Sequence, residues 1–132
     1  MIEFHLDTHS GLAPYLQIVQ QVKQALRLGF LEVGDQLPTV RQAVAQLAVN
    51  PNTVLKGYRE LEHEGLVASR PGQGIFVQRT LVGPGASSYA ALSRSLERWL
   101  QSARAAGLDE ESVLALFLHT FHRTGNEEEE TA

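Results

Sequence analysis

Three short runs constrain this chain more than anything else in it: Gly34-Asp35-Gln36-Leu37-Pro38-Thr39-Val40-Arg41, Val49-Asn50-Pro51-Asn52-Thr53-Val54 and Arg70-Pro71-Gly72-Gln73-Gly74. The first two carry the marks of helix starts, a threonine cap after a proline and an asparagine cap with proline at the next position. The third is the tip of a glycine-rich hairpin. Two short helices joined by a tight turn and followed by a hairpin make a helix-turn-helix with a wing, an arrangement that sets one helix into a DNA major groove. The runs occur in that order, so each supports the others.

Composition sets the outer limits. A chain of 132 residues suits one domain, or one small domain with an appendage. At 43% hydrophobic it can bury a core. The lack of cysteine excludes disulfides and thiolate metal sites and suits a reducing cytoplasm. No apolar stretch approaches the roughly 18 residues of a membrane span, and no basic region followed by an apolar run opens the chain. A cytoplasmic protein without a membrane partner is expected.

The net charge of −4 counts against a DNA binder until it is divided. Residues 1–80 carry seven Lys or Arg and seven Asp or Glu, whereas residues 81–132 carry four and eight, half of these acids in Glu127-Glu128-Glu129-Glu130. Phosphate contact depends on local basic groups rather than on the total. A neutral module implies modest nonspecific affinity, so specificity is expected to come from dimerisation.

The first helix runs from Pro14 to Leu28. Tyr15, Val19, Val22 and Leu26 recur at helical spacing, widened by Ile18 and Ala25. Gln17, Gln20, Gln21, Lys23, Gln24 and Arg27 then fall on the outer face, and Gly29 is placed to end the helix in a left-handed conformation. This helix is scaffold. The second starts after Leu37-Pro38, where Thr39 and Gln42 form a capping box, and buries Val40, Ala43, Val44 and Leu47. Arg41 falls in its first turn, against the dipole preference. It is either a solvated surface arginine or, with the exposed backbone N–H groups, a ligand for phosphate or a base edge. Spacing alone does not separate the two.

Asn50 caps the third helix and Pro51 opens it, with Val54, Tyr58 and Leu61 fixing its buried side. Asn52, Leu55, Lys56, Arg59 and Glu60 point the other way. Asn, Thr, Lys and Arg at a helix start are residue types that bond base edges and phosphates, although any solvated helix also has a polar face. Leu55 is a surface apolar residue or a contact for a thymine methyl group. Beyond Gly65, residues 66–70 and 75–78 flank a four-residue turn region, Pro71-Gly72-Gln73-Gly74. A Gly-x-Gly followed by a strand argues against a nucleotide fold, and a wing on the DNA backbone explains Arg70 and the glycines better.

Pro14-x-x-Gln17-Ile18, Gly34-Asp35-x-Leu37-Pro38-Thr39-x-Arg41, the run from Val49 to Leu66 and Arg70-x-Gly72-x-Gly74-x-Phe76-Val77 closely resemble the GntR-type winged helix over roughly residues 10–78. The resemblance implies DNA contacts from Arg41 and from the start of the third helix, with Gly72 and Gly74 shaping the wing. Thr39, Arg41, Asn52, Thr53, Lys56, Arg59, Arg70, Gly72, Gln73 and Gly74 are the candidate DNA-binding residues. Gly57 stands where alanine is more usual, at a helical cost of up to ~1 kcal/mol. Ala43-Val44 reverses the usual leucine-alanine order.

The C-terminal part sets the subtype. Leu81 to about residue 87 reads as a linker. Leu92, Leu96, Trp99 and Ala103 mark a helix over residues 88–106, ended by Gly107, and Asp109 caps another. The latter has two apolar faces, Val113, Leu116, Phe117 and Phe121 on one and Leu114 and Leu118 on the other. Two helices cannot bury both together with Trp99, so Leu92, Leu96, Trp99, Leu114, Phe117, Leu118 and Phe121 are assigned to a homodimer interface. So short a helical appendage resembles the YtrA-like subfamily of GntR proteins, which implies a two-helix dimerisation module.

The expected architecture is mainly α with a small β-hairpin. A winged helix-turn-helix over residues 10–80 precedes the linker, a dimerisation module over residues 88–124 follows, and an acidic disordered tail, 125–132, ends the chain. The module is too small to enclose an effector pocket within one subunit, though a site between subunits stays open. His119 and His122 lack further ligands for a metal, and His5 and His9 read as surface groups. No catalytic motif is present, and neither enzyme activity nor a cofactor is expected. The expected function is a dimeric transcription regulator, most simply a repressor occluding a promoter. The alternatives are the same regulator switched by a small ligand, and a winged-helix adaptor for proteins.

Overall fold

The computed structural model describes the backbone of residues 2–131 and the side chains of residues 2–126. It falls into two compact units, Met1–Ala86 and Ser87–Ala132. The first contains α1 (Pro14–Leu28), α2 (Val40–Leu47), α3 (Pro51–His63), β1 (Val67–Arg70) and β2 (Gly74–Val77), and the second contains α4 (Tyr89–Ala105) and α5 (Glu110–Thr131). A single 3-10 turn, Ala86–Ser88, lies at the division.

Each helix of the first unit ends as its local chemistry dictates. Gly29 closes α1 at φ 79°, where a side chain would be strained. Thr39 Oγ1 accepts from the Gln42 amide while Gln42 Oε1 accepts from the Thr39 amide, at 3.1 and 2.9 Å. That reciprocal pair fixes the start of α2. Asn50 Oδ1 accepts from the Asn52 amide at 2.8 Å, and Pro51 occupies the first position of α3.

The core joins all three helices to the hairpin. Ile18, Val22 and Leu26 of α1 share it with Val54, Tyr58 and Leu61 of α3, and Leu66, Val67 and Val77 close its hairpin side. Gly57 explains how closely α1 and α3 pack. A Cβ there would lie 3.0 Å from the Tyr15 carbonyl oxygen and 3.3 Å from Ile18 Cγ2. The helical cost of this glycine is thus offset by a crossing that alanine would obstruct.

Several boundaries differ from those the sequence predicts. The winged-helix unit begins before residue 10, because Phe4 is buried against Tyr58 with ring centroids 6.3 Å apart. Gln17, assigned to the outer face of α1, is buried instead. Its amide accepts from the Asp7 N–H at 2.8 Å and donates to the Asp7 and Leu12 carbonyls, both at 3.0 Å. One turn on, Gln21 does the same for both backbone groups of His5. The N-terminal segment therefore covers what would otherwise be a solvent face, and these glutamines satisfy its backbone. His5 and His9 are exposed, as expected.

At the other boundary, Leu81 packs against the core and Thr80 Oγ1 donates to the Leu26 carbonyl at 3.2 Å. The first part of the expected linker thus belongs to the folded unit. The acidic segment 125–132, expected as a disordered tail, continues α5 as far as Thr131, in keeping with the good helix propensity of glutamate. The side chains of residues 127–131, and Ala132 altogether, lie outside the described residues.

In the second unit, Gly107 at φ 93° separates α4 from α5. Asp109 Oδ1 accepts from the Ser112 amide at 2.8 Å. The side chain and backbone of Ser112 hold the Asp109 carboxyl below its ordinary value, which marks it as the ionised cap of α5. Among the described residues of this unit only Ala103 is buried. Leu92, Leu96, Leu114, Phe117, Leu118 and Phe121 are all exposed, and Trp99 is half-buried. Phe117 and Phe121 stack at 5.9 Å. Leu96, Trp99, Leu116, Phe117 and Phe121 line an open groove of about 310 Å³.

Candidate nucleic-acid interface

The turn between α2 and α3 is three residues, Ala48 to Asn50, with Ala48 in the left-handed region at φ 53°. Such a short connection sets two helices at the angle of a helix-turn-helix. Behind it, the Tyr58 hydroxyl donates to the Pro38 carbonyl at 2.6 Å, tying the entry of α2 to the middle of α3. Burial raises the ionisation of that hydroxyl well above its ordinary value, so it stays a donor.

On α3 the buried Val54, Tyr58 and Leu61 define one side. At about 100° per residue, Asn52, Lys56 and Arg59 form a stripe on the opposite side, and all three are exposed. Thr53 and Leu55 flank the stripe and are half-buried. The Lys56 ammonium lies 4.1 Å from the centroid of the Tyr15 ring, on the first turn of α1. Arg41 is exposed in the first turn of α2, and Thr39 beside it is exposed too. The one ion pair among the described residues joins Lys23 to Glu64 at 2.8 Å, so Arg41, Lys56, Arg59 and Arg70 form no ion pair among them.

The hairpin is antiparallel, with Arg70 paired to Gly74 and Val67 to Val77. Its turn is one residue shorter than predicted. Pro71, Gly72 and Gln73 form it, closed by the Gln73 amide donating to the Arg70 carbonyl at 2.9 Å, and Gly74 already belongs to β2. Gly72 and Gly74 adopt φ 73° and 128°, positions that side chains resist. The Arg70 guanidinium lies 4.3 Å from the centroid of the Phe76 ring. Arg70, Gly72 and Gln73 are exposed at this tip and Gly74 is half-buried.

Two contributors escape a reading of the sequence. Tyr15 reads only as the end of a core stripe, yet its ring carries Lys56. Gln36 gives no signal at all, yet its amide reaches the hairpin tip, donating to the Gln73 carbonyl at 3.0 Å. Both contacts are long-range and side-chain specific, so no local pattern announces them. His119 and His122 are exposed, and among the described residues no cluster of three or more histidine, cysteine or acidic side chains is placed to hold a metal. No described helix is long and apolar enough to cross a membrane.

With helix, turn, helix and wing in place, residues 14–77 match the family model for bacterial regulatory proteins of the gntR family. The chain is 33% identical over 112 residues to the HTH-type transcriptional repressor YtrA of Bacillus subtilis (strain 168), spanning 82% of this chain and 84% of that one. The chain belongs to the GntR family. It is a transcriptional regulator carrying a GntR-type DNA-binding domain. Among solved structures it is similar to YtrA from Sulfolobus acidocaldarius, a GntR-family transcription factor, with a TM-score of 0.52 and 28% identity over 72% of this chain and 94% of that one. It is also similar to AraR(DBD) in complex with operator ORX1, with a TM-score of 0.51 and 26% identity over 56% of this chain and 94% of that one.

Proposed function

We propose that this GntR regulator binds a two-fold symmetric DNA site as a homodimer and represses transcription by occluding a promoter. The observation that carries the reading is the exposed Asn52–Lys56–Arg59 stripe opposite the buried face of α3. In this reading α3 enters the major groove and Asn52 and Thr53 face base edges, while Lys56 and Arg59 meet phosphates. Arg41 and Thr39, at the start of α2, reach the groove edge. Arg70, Gly72, Gln73 and Gly74 form a wing that rests on the backbone. The operator complex of a similar protein supports DNA as the partner, and the repressor name of a relative similar over most of its length supports the sign of regulation.

Dimerisation is proposed through α4 and α5. One buried residue cannot stabilise two helices carrying so many exposed large apolar side chains. A second copy seated in the groove beside Trp99 and Phe117 provides the missing partner. The cytoplasm is the expected compartment, and the chemistry is binding without catalysis.

The test begins by selecting a duplex from a random pool with the intact protein. Arg41→Ala is expected to lose about 1–3 kcal/mol on that duplex, as for a bidentate base contact, with the melting temperature unchanged. Equal affinity in a folded Arg41→Ala protein refutes the assignment. A salt-independent interaction, or none with DNA, would favour a protein adaptor instead.

A further inference from the structure

We propose that Gln36 is a positioning residue that sets the wing at its working distance from α3. The inference rests on the reading of the hairpin as a DNA-contacting wing. Residues 34–37 run beside β2 and join it through an isolated bridge outside the two-stranded sheet. The Gly34 amide donates to the Val77 carbonyl at 2.9 Å, the Val77 amide to the Asp35 carbonyl at 2.8 Å and the Leu37 amide to the Ile75 carbonyl at 2.9 Å. Gln36 itself bridges to Phe76, the residue whose ring carries Arg70. The backbone of the hairpin base is thereby locked to the segment that leads into α2.

That lock stops short of the tip. There, among the described residues, the only long-range hydrogen bond comes from the Gln36 side chain, whose Nε2 donates to the Gln73 carbonyl at 3.0 Å. Gly74 makes room for it, since a Cβ at that position would stand 2.5 Å from Gln36 Nε2. Gly74 therefore serves two ends, a backbone at φ 128° and a seat for the amide. Two residues after Gln36, Pro38 accepts from Tyr58 of α3 at 2.6 Å. A continuous path of bonds thus runs from α3 through Pro38 and Gln36 to the turn that carries Gln73. Without the amide, the tip swings on its two glycines, and Arg70 and Gln73 lose their fixed height above the helix. A rigid tip reduces the ordering that binding must supply.

The experiment uses the intact protein and the duplex that wild type selects from a random pool. Gln36→Ala removes the tie, and Gln36→Glu keeps the shape but replaces the donor with an acceptor that the Gln73 carbonyl repels. Both are expected to bind about three- to tenfold more weakly, the scale of one hydrogen bond, with the melting temperature held. In free protein, amide exchange at residues 72–74 should quicken in both. In an Arg70→Ala, Gln73→Ala background, Gln36→Ala should cost little more, because both side chains it positions are already gone. Equal affinity of Gln36→Ala and wild type overturns the proposal. So does an undiminished loss in that doubly substituted background, which would mean that Gln36 touches DNA itself. A wild type that selects no duplex brings down the wing reading as well, which distinguishes the two failures.

Discussion

The Lys56 ammonium stands 4.1 Å from the centre of the Tyr15 ring, so a cation on α3 is held by the first turn of α1. An exposed contact of this kind contributes about 0.5–1 kcal/mol, enough to bias the lysine without immobilising it. It places the charge beside the start of α3 before any phosphate arrives. Lys56→Ala should weaken binding to selected and random duplexes alike and make the slope of log affinity against log salt shallower by about one. Tyr15→Leu should give a smaller loss in the same direction. Fluorescence anisotropy at several salt concentrations reads both, and an unchanged slope in Lys56→Ala would remove the phosphate contact.

Gly57→Ala sets two effects against each other. Alanine gains up to ~1 kcal/mol of helix propensity. Its Cβ, however, would meet the Tyr15 carbonyl at 3.0 Å, and a backbone atom cannot rotate away. Overpacking of about 1–3 kcal/mol should win, leaving the variant less stable by about 1–2 kcal/mol. Urea unfolding checks it, and a stabilised Gly57→Ala would show that α1 and α3 part without cost.

Ala48 is the one described non-glycine residue with positive φ. The left-handed region costs such a residue roughly 1–2 kcal/mol, and glycine returns part of that gain as unfolded-state entropy. Ala48→Gly should therefore raise stability by about 0.5–1 kcal/mol, a higher melting temperature with DNA affinity unaltered. A lower melting temperature would contradict the strain.

Tyr58→Phe removes the hydroxyl that donates to Pro38 and leaves a buried carbonyl unpaired, at about 1–3 kcal/mol. The same hydroxyl makes stability depend on alkaline pH. Burial raises its ionisation above the ordinary value of 10.0, so only the unfolded chain releases this proton near pH 10. Its contribution is complete below pH 10 and is lost as the pH climbs beyond it. Denaturation midpoints measured between pH 8 and about 11 should fall less steeply in Tyr58→Phe than in wild type. Parallel curves would assign the alkaline loss to other groups.

Local chemistry was enough to read most of this fold. Pro14 and Gly29 bound α1, Thr39 with Gln42 starts α2, Asn50 with Pro51 starts α3, and the glycines of residues 71–74 mark the hairpin tip, all through interactions spanning a few residues. What stayed hidden depends on distant partners. Gln17 looks like an outward residue until the chain around Asp7 and Leu12 folds over it, and Leu81 looks like linker until it meets the core. Gly57 looks like a defect in a helix, because the Tyr15 carbonyl that requires it lies on another one. For the candidate interface, the polar stripe on α3 was legible from periodicity alone. The roles of Tyr15 and Gln36 were not, since each acts through a residue far along the chain.

The most direct test of a dimer reading a symmetric site is a titration of the intact protein. It uses the selected palindromic duplex and the same duplex with one half-site scrambled. Two linked winged helices gain roughly 10²–10⁴-fold over one, so scrambling should cost a large part of that factor, with two chains bound per intact palindrome. Equal affinity for both duplexes at one chain per duplex would contradict the dimer and the symmetric site together.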